Sequence, residues 1–264
     1  MFRHANRIPI VVAIGVLACA AHDAGRAGFD PVPVRHAEGT VHGFLSLSTA
    51  DGAPLASGDL LQVVRDGSID SRMIFHFADS SYFEEAVTFT QEGVFAMQSY
   101  HLVQRGPTFD ADLDATLDAN GHYRVRSTSH EDGKRQEWDD TLDLPPDVSN
   151  GLPVIFLKNL GPGEARTVHM VAFTPEPRLI GLELSPVGEG RVLNGQREET
   201  MVEYALKPQL GVLTGFFAKL LGKMPADSHV WIVTDDVPTF VRSEGPLYMG
   251  PVWRIDLARP EWPG

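Results

Sequence analysis

Residues 109–123, FDADLDATLDANGHY, carry Asp110, Asp112, Asp114 and Asp118 within ten residues and end on Asn120-Gly121-His122-Tyr123. Carboxylates at short spacing are what a calcium loop needs, because calcium is held by hard oxygen ligands. An EF-hand loop also needs glycine at its sixth position and a bidentate glutamate at its twelfth. Counted from Asp110, those positions hold Ala115 and Gly121. From Asp112 the sixth residue is Leu117, and from Asp114 it is Ala119. The calcium reading fails on spacing, and carboxylates spread along a strand do not converge on one centre.

The remaining reactive residues are dispersed. The sequence has no Gly-x-Ser-x-Gly elbow, P-loop, Rossmann glycine pattern or His-Glu-x-x-His motif. Its ten histidines are scattered; His76 and His229 each sit in an apolar stretch. Glu84-Glu85 and Asp235-Asp236 are adjacent pairs, and neighbours on a strand face opposite sides. Neither pair makes an acid/base dyad by itself. Cys19 is the sole cysteine, which excludes an intramolecular disulfide and leaves no thiol for catalysis in a mature domain. The residues themselves call for no metal and no cofactor.

The elements that position these residues are mostly strands. Phe109, Ala111, Leu113, Ala115 and Leu117 alternate with the aspartates, the mark of a half-buried strand with a wet acidic face. Asn120-Gly121 then supplies a two-residue hairpin turn, and Tyr123 and Val125 resume the apolar phase opposite Arg124 and Arg126. Those arginines are placed to face the aspartates across the hairpin. Similar runs are joined at Asp66-Gly67, Glu92-Gly93 and Asp132-Gly133. Parallel strands need long crossovers, and none fits between these runs. Residues 39–144 therefore read as an antiparallel meander. Pro145-Pro146 interrupts it, and 146–160 suggests a short helix with Asp147 as its N-cap. Strands resume in ARTVHMVAFT and RLIGLELSPV; REETMVEYALKP fits strand or helix, with strand favoured by its setting. Residues 210–225 place Leu213, Phe216, Phe217, Leu220 and Leu221 at helical spacing.

The N-terminus has the pattern of an export signal. Arg3 and Arg7 precede the apolar run Ile8 to Ala18, which is shorter than the roughly 20 residues that a spanning helix needs. VLAC, ending at Cys19, resembles a bacterial lipobox, while Ala18-Cys19-Ala20 fits ordinary signal peptidase cleavage; an uncleaved anchor is the third reading. The first makes residues 1–18 a signal peptide, Cys19 a lipidation site and residues 19–38 a linker holding a single β-rich domain, 39–264, off the bilayer. That localisation is periplasmic, membrane-anchored through the lipid if Cys19 is modified. The net charge of −13 disfavours nucleic acid and anionic headgroups as partners.

An antiparallel sheet that does not close needs a cover for its apolar face. Phe75, Phe77, Phe89, Phe95, Phe109, Trp231 and Trp253 are the candidates to line that face, with segments 152–160 and 212–221 above it. Complete packing gives an ordinary core; a gap gives an apolar pocket for a lipid or acyl chain.

Residues 78–109, from ADSSYFEEAVTF to the Gln104-Arg105-Gly106-Pro107 run, together with VWIVTDDVPTFVRSEGPLYMGPVWRIDL, resemble exported bacterial proteins of the DUF3108 group. That group is similar in turn to the LolA/LolB lipoprotein carriers. The resemblance implies a mainly β fold, an antiparallel meander forming an unclosed half-barrel with one or two helices over its concave face. It carries no catalytic signature and transfers no functional residue. The expectation is a non-enzymatic envelope protein binding a hydrophobic ligand, with Phe75, Phe77, Phe89, Phe95, Trp231 and Trp253 in the wall. Two alternatives stand beside it. One is an envelope scaffold that meets a protein partner through a sheet edge or apolar patch. The other is a hydrolase assembled from distant strands, needing a histidine within reach of a carboxylate in a cleft.

Overall fold

The computed structural model describes residues 30–174, 176–194, 197–209, 227–235 and 237–258. The signal segment, Cys19 and the helix expected over 210–225 lie outside these residues. Eight strands follow one another in the first half: β1 Val41–Thr49, β2 Pro54–Arg65, β3 Ser68–Phe77, β4 Tyr82–Thr90, β5 Ala96–Arg105, β6 Ala111–Asp118, β7 His122–Ser129 and β8 Arg135–Thr141. A short helix, α1 Pro153–Leu157, separates them from β9 Arg166–Ala172, β10 Arg178–Asn194, β11 Arg197–Gln209, β12 Ser228–Val233, β13 Thr239–Gly245 and β14 Trp253–Leu257. The ambiguous segment REETMVEYALKP is thus a strand, β11.

These strands form one antiparallel sheet in the order β8-β7-β6-β5-β4-β3-β2-β1-β14-β13-β12-β11-β10-β9. Two meanders run outward from a central seam, where β1 pairs with β14 through Leu45 opposite Leu257 and Leu47 opposite Ile255. The sheet is not closed: β8 and β9, its two edges, are not paired with each other. The result is an unclosed β-barrel with α1 on its concave side.

The turn residues explain the hairpins. Asp66 and Gly67 both take positive φ, 46° and 85°, as a type I′ turn requires at its two central positions. The acidic run on β6 is the convex face of a strand whose Leu113, Ala115 and Leu117 are buried. Its aspartates are held separately by neighbours: Asp114 by His101 and Arg105, Asp112 by His130 and the Gly106 N–H. Arg126 sits opposite Asp114 in register, but its guanidinium donates to Glu137 on β8, and Arg124 bonds Asp139. The arginines therefore face outward along the sheet to β8 rather than back to the aspartates.

The core lies on the concave side, between the two halves. Phe89 packs on Phe95 at 6.1 Å between ring centroids, and Phe95 on Phe156 of α1 at 6.0 Å, which fixes the helix to the sheet. The N-cap of α1 is Leu152, with no side-chain cap bond, and Pro153 opens the first turn. Asp147 is not the cap: it is buried and holds the His169 ring instead. Of the stretch expected as a linker, residues 30–38 are docked. Val32 is fully buried, the Val34 N–H donates to Gly93 O, and buried Asn159 accepts the N–H groups of Arg35 and His36.

Candidate functional site

Residues of both halves of the sheet and of the segment around α1 enclose an apolar cavity of about 270 Å³. Met73 enters from β3, Met170 from β9, Ile180 from β10, Leu206 from β11, Val230 from β12 and Ile255 from β14. The strand period puts all of them on the inner face; Val230, for example, stands directly between Tyr204 and Ser243 of the adjacent strands. Gly151, Pro153 and Val154 close one side. Pro208 and Ser228, which flank the undescribed segment 210–226, stand in the same wall. Methionines and mid-sized aliphatics supply most of the apolar lining, while the buried phenylalanines pack elsewhere on the concave face.

Nine polar side chains interrupt this apolar wall: Glu85, Tyr100, Arg178 and Tyr248, with Ser149, Thr174, Ser228, Ser243 and Glu244. Glu85 is on β4, in phase with buried Phe83, Val87 and Phe89. The Tyr100 hydroxyl donates to Glu85 Oε1 at 2.8 Å. Burial pushes the Glu85 carboxyl above the ordinary carboxylate range, and the Tyr100 bond only partly opposes that. Burial, with the Glu85 charge beside it, also raises the Tyr100 phenol well above its usual value. The surface that Glu85 keeps open faces the cavity. Tyr248 accepts the Phe173 N–H at 2.7 Å, and its own pKa is raised by burial. Arg178 donates through Nη1 to the carbonyls of Thr174 and Glu176.

A second cavity of about 470 Å³ adjoins the first, sharing Thr174, Tyr248 and Met249. Phe109 and Trp253 line it, and both touch Phe77, at 5.5 and 5.7 Å. Buried Gln104 is in the same wall; its Nε2 donates to Ala111 O.

None of the six wall residues expected from sequence lines the apolar cavity. Phe75, Phe77, Phe89 and Phe95 are buried in the packed core of the concave side, and Trp253 borders the second cavity. Trp231 is corrected to the convex face. It stands in register with Glu203 and Arg242, stacks on His229 at 6.1 Å, and alternates with inward-facing Val230 and Ile232. Alternation identifies a face but not which side of the sheet that face meets, and a tryptophan flanked by apolar neighbours reads equally well in either phase. Glu85 was missed although a signal existed: it is an acid in the apolar phase of a strand whose other acid, Glu84, is in the polar phase.

The hydrolase alternative needs a histidine against a carboxylate in a cleft, and among the described residues the most buried such pair is His169 with Asp147. Its Nδ1 lies 2.9 Å from Asp147 Oδ2, with the Asp147 side chain fully enclosed. The adjacent Ser149 donates its hydroxyl to the backbone carbonyl of His169, not to the ring, so the three do not form a nucleophile–base pair. His229 pairs with Glu203 on the convex face. His76 projects from the convex face opposite Phe75 and Phe77, with its ring 5.3 Å from Tyr82. Among the described residues, no group of three or more His, Cys, Asp or Glu is arranged to hold a metal ion.

No protein-family model matches the sequence, and none of the curated proteins matches it. Among solved structures, the chain is similar to the beta-barrel-like protein of the domain of unknown function DUF1849 from Brucella abortus. The two share 8% identity over 85% of this chain and 98% of that one, with a TM-score of 0.46. Likeness at that level bears on neither the site nor its ligand.

Proposed function

We propose that this is a non-enzymatic cell-envelope protein that binds a hydrophobic ligand, a lipid or acyl chain, on the concave side of the sheet. The observation that carries this reading is the apolar cavity between the two halves. A protein interior normally packs with few voids larger than a water molecule, whereas ligand sites are concave, mostly apolar and set with a few polar groups. Support comes from the sequence as well. The N-terminus has the pattern of an export signal with a lipobox at Cys19, and the resemblance to LolA/LolB carriers points to acyl chains. The periplasmic location and the lipid anchor are part of this proposal.

The test is native mass spectrometry of the exported protein purified without detergent, followed by organic extraction. The expected result is a bound lipid that leaves on activation, and loss of that mass in Leu206→Trp, which fills the cavity. A clean apo mass with no uptake of added fatty acid or lipopeptide overturns the reading. It would favour the scaffold alternative, for which the supporting observation is β8, an edge strand with no cover among the described residues.

A further inference from the structure

Glu85 is out of place in a wall that serves only to be apolar. Its inner-face neighbours in register are Met73 on β3 and Leu102 on β5. Along β4 it stands between Phe83 and Val87. One carboxyl oxygen is engaged by the Tyr100 hydroxyl. Among the described residues, no ion pair reaches the carboxyl. A carboxyl enclosed in apolar surroundings without a cation is costly to keep charged. A leucine or methionine would pack in that position without the cost, so the residue calls for a partner that the described residues do not provide.

We infer that the cavity takes an apolar molecule carrying a protonated amine, whose ammonium group is received by the open carboxyl oxygen of Glu85. This rests on the ligand-binding reading above and narrows it to one chemistry. Most of the remaining wall suits the rest of such a molecule: Met73, Met170, Ile180, Leu206 and Val230 offer only apolar contact, and Glu244, the other carboxylate of the lining, is in the opposite phase of β13 from inward-facing Ser243. Arg178 is the group that would instead attract an acid. It is already engaged by the Thr174 and Glu176 carbonyls, and it stands beside Tyr248 rather than in the row of Glu85. A charge-assisted hydrogen bond in a dry site is stronger than one between neutral groups. An amine therefore gains more at Glu85 than an alcohol of the same chain length.

The experiment is calorimetric titration of the full-length exported protein with dodecylamine, dodecanol and dodecanoic acid. Dodecylamine is expected to bind at least about tenfold more tightly than dodecanol. Glu85→Gln keeps the Tyr100 hydrogen bond and is expected to erase that preference while dodecanol binding stays within about threefold. Because the protein is acidic overall, Glu84→Gln is the control. It removes the same charge one residue away on the opposite face and is expected to keep the amine preference. A preference for dodecanoic acid assigns the polar end to Arg178 and overturns the inference, as does an amine preference that survives in Glu85→Gln or vanishes in Glu84→Gln. Equal binding of all three compounds overturns it while leaving a hydrophobic-ligand site standing. Binding of none removes both.

Discussion

Glu84 and Glu85 are neighbours in the chain, yet the sheet gives them opposite electrostatics. Glu84 is on the convex face, where Arg72 donates Nε and Nη2 to its two oxygens at 2.6 and 2.9 Å, and the Tyr82 hydroxyl adds a third bond. The arginine holds the Glu84 carboxyl below its ordinary range, despite some cost of burial. Glu85 faces the cavity and is raised by burial. Linkage turns these directions into opposite pH dependences. A carboxyl depressed in the folded state stabilises above its unfolded pKa, and that stability is lost as pH falls through the folded value. A raised carboxyl favours the folded state below its unfolded pKa, and that advantage is lost as pH rises through the folded value. Glu84→Gln is therefore expected to lower the melting temperature at pH 7, with the deficit narrowing as pH falls below the carboxylate range. Glu85→Gln is expected to raise it at pH 7, with the gain vanishing below about pH 4, where the unfolded glutamate is protonated too. Melting curves at pH 3 to 8 check both. A fall in stability for Glu85→Gln at pH 7 would mean that the carboxyl is charged and held by something other than Tyr100. The adjacency of the two acids and their opposite faces were legible in the sequence. Which face was dry was not, because that depends on what packs across the concave side.

The segment around α1 shows how one element shapes the site. It leaves the sheet after β8, crosses the concave side and returns as β9, so its path determines how much of the cavity stays open. Gly151 sets the closest approach. It takes φ +73°, and a Cβ there would lie 2.8 Å from Val87 Cβ and 3.2 Å from the Tyr100 ring. Both the left-handed backbone and the contact exclude a side chain. Gly151→Ala is expected to cost more than about 1 kcal/mol in urea unfolding and to weaken ligand uptake by lifting the segment from Tyr100. Unchanged stability would show that the segment is not tightly seated on β4 and β5. From sequence, 146–160 read as a short helix capped by Asp147. Pro153 instead opens α1, at the one part of a helix where its missing N–H costs nothing. The hairpins were legible because each depends on two turn residues and the local alternation. The crossing of 145–160 was not, since it depends on contacts such as Phe95 with Phe156, 61 positions apart in the chain.

An unclosed sheet leaves two edges, and this molecule treats them differently. The seam between β1 and β14, which orders the whole sheet, joins residues more than 200 positions apart, as with Leu45 and Leu257. No local pattern reveals such a pairing, so the sequence predicted a meander but not its centre or its ends. At one end, β9 is covered. Asn150 bonds both the N–H and the carbonyl of Val171, and the Ser149 N–H donates to His169 O. At the other end, β8 has no such cover among the described residues. The bonds Leu142 N–H to Gly121 O and Ser129 N–H to Lys134 O fix the parity: even-numbered residues bond β7, and Arg135, Glu137, Asp139 and Thr141 point backbone groups outward. A row of free N–H and C=O groups is a template for another chain, and charge on an edge strand discourages that pairing. Glu137 and Asp139 supply the charge, held upright by Arg126 and Arg124. Replacing both acids by valine leaves the outward backbone groups in place, leaves Asp140 as the one acid of β8 and raises its strand propensity. The double variant Glu137→Val, Asp139→Val is expected to associate with rising concentration in sedimentation velocity, where the unaltered chain keeps a constant sedimentation coefficient. Identical sedimentation of the two would mean that the edge is protected by something other than these acids, and would weaken the case for β8 as the docking edge of a scaffold.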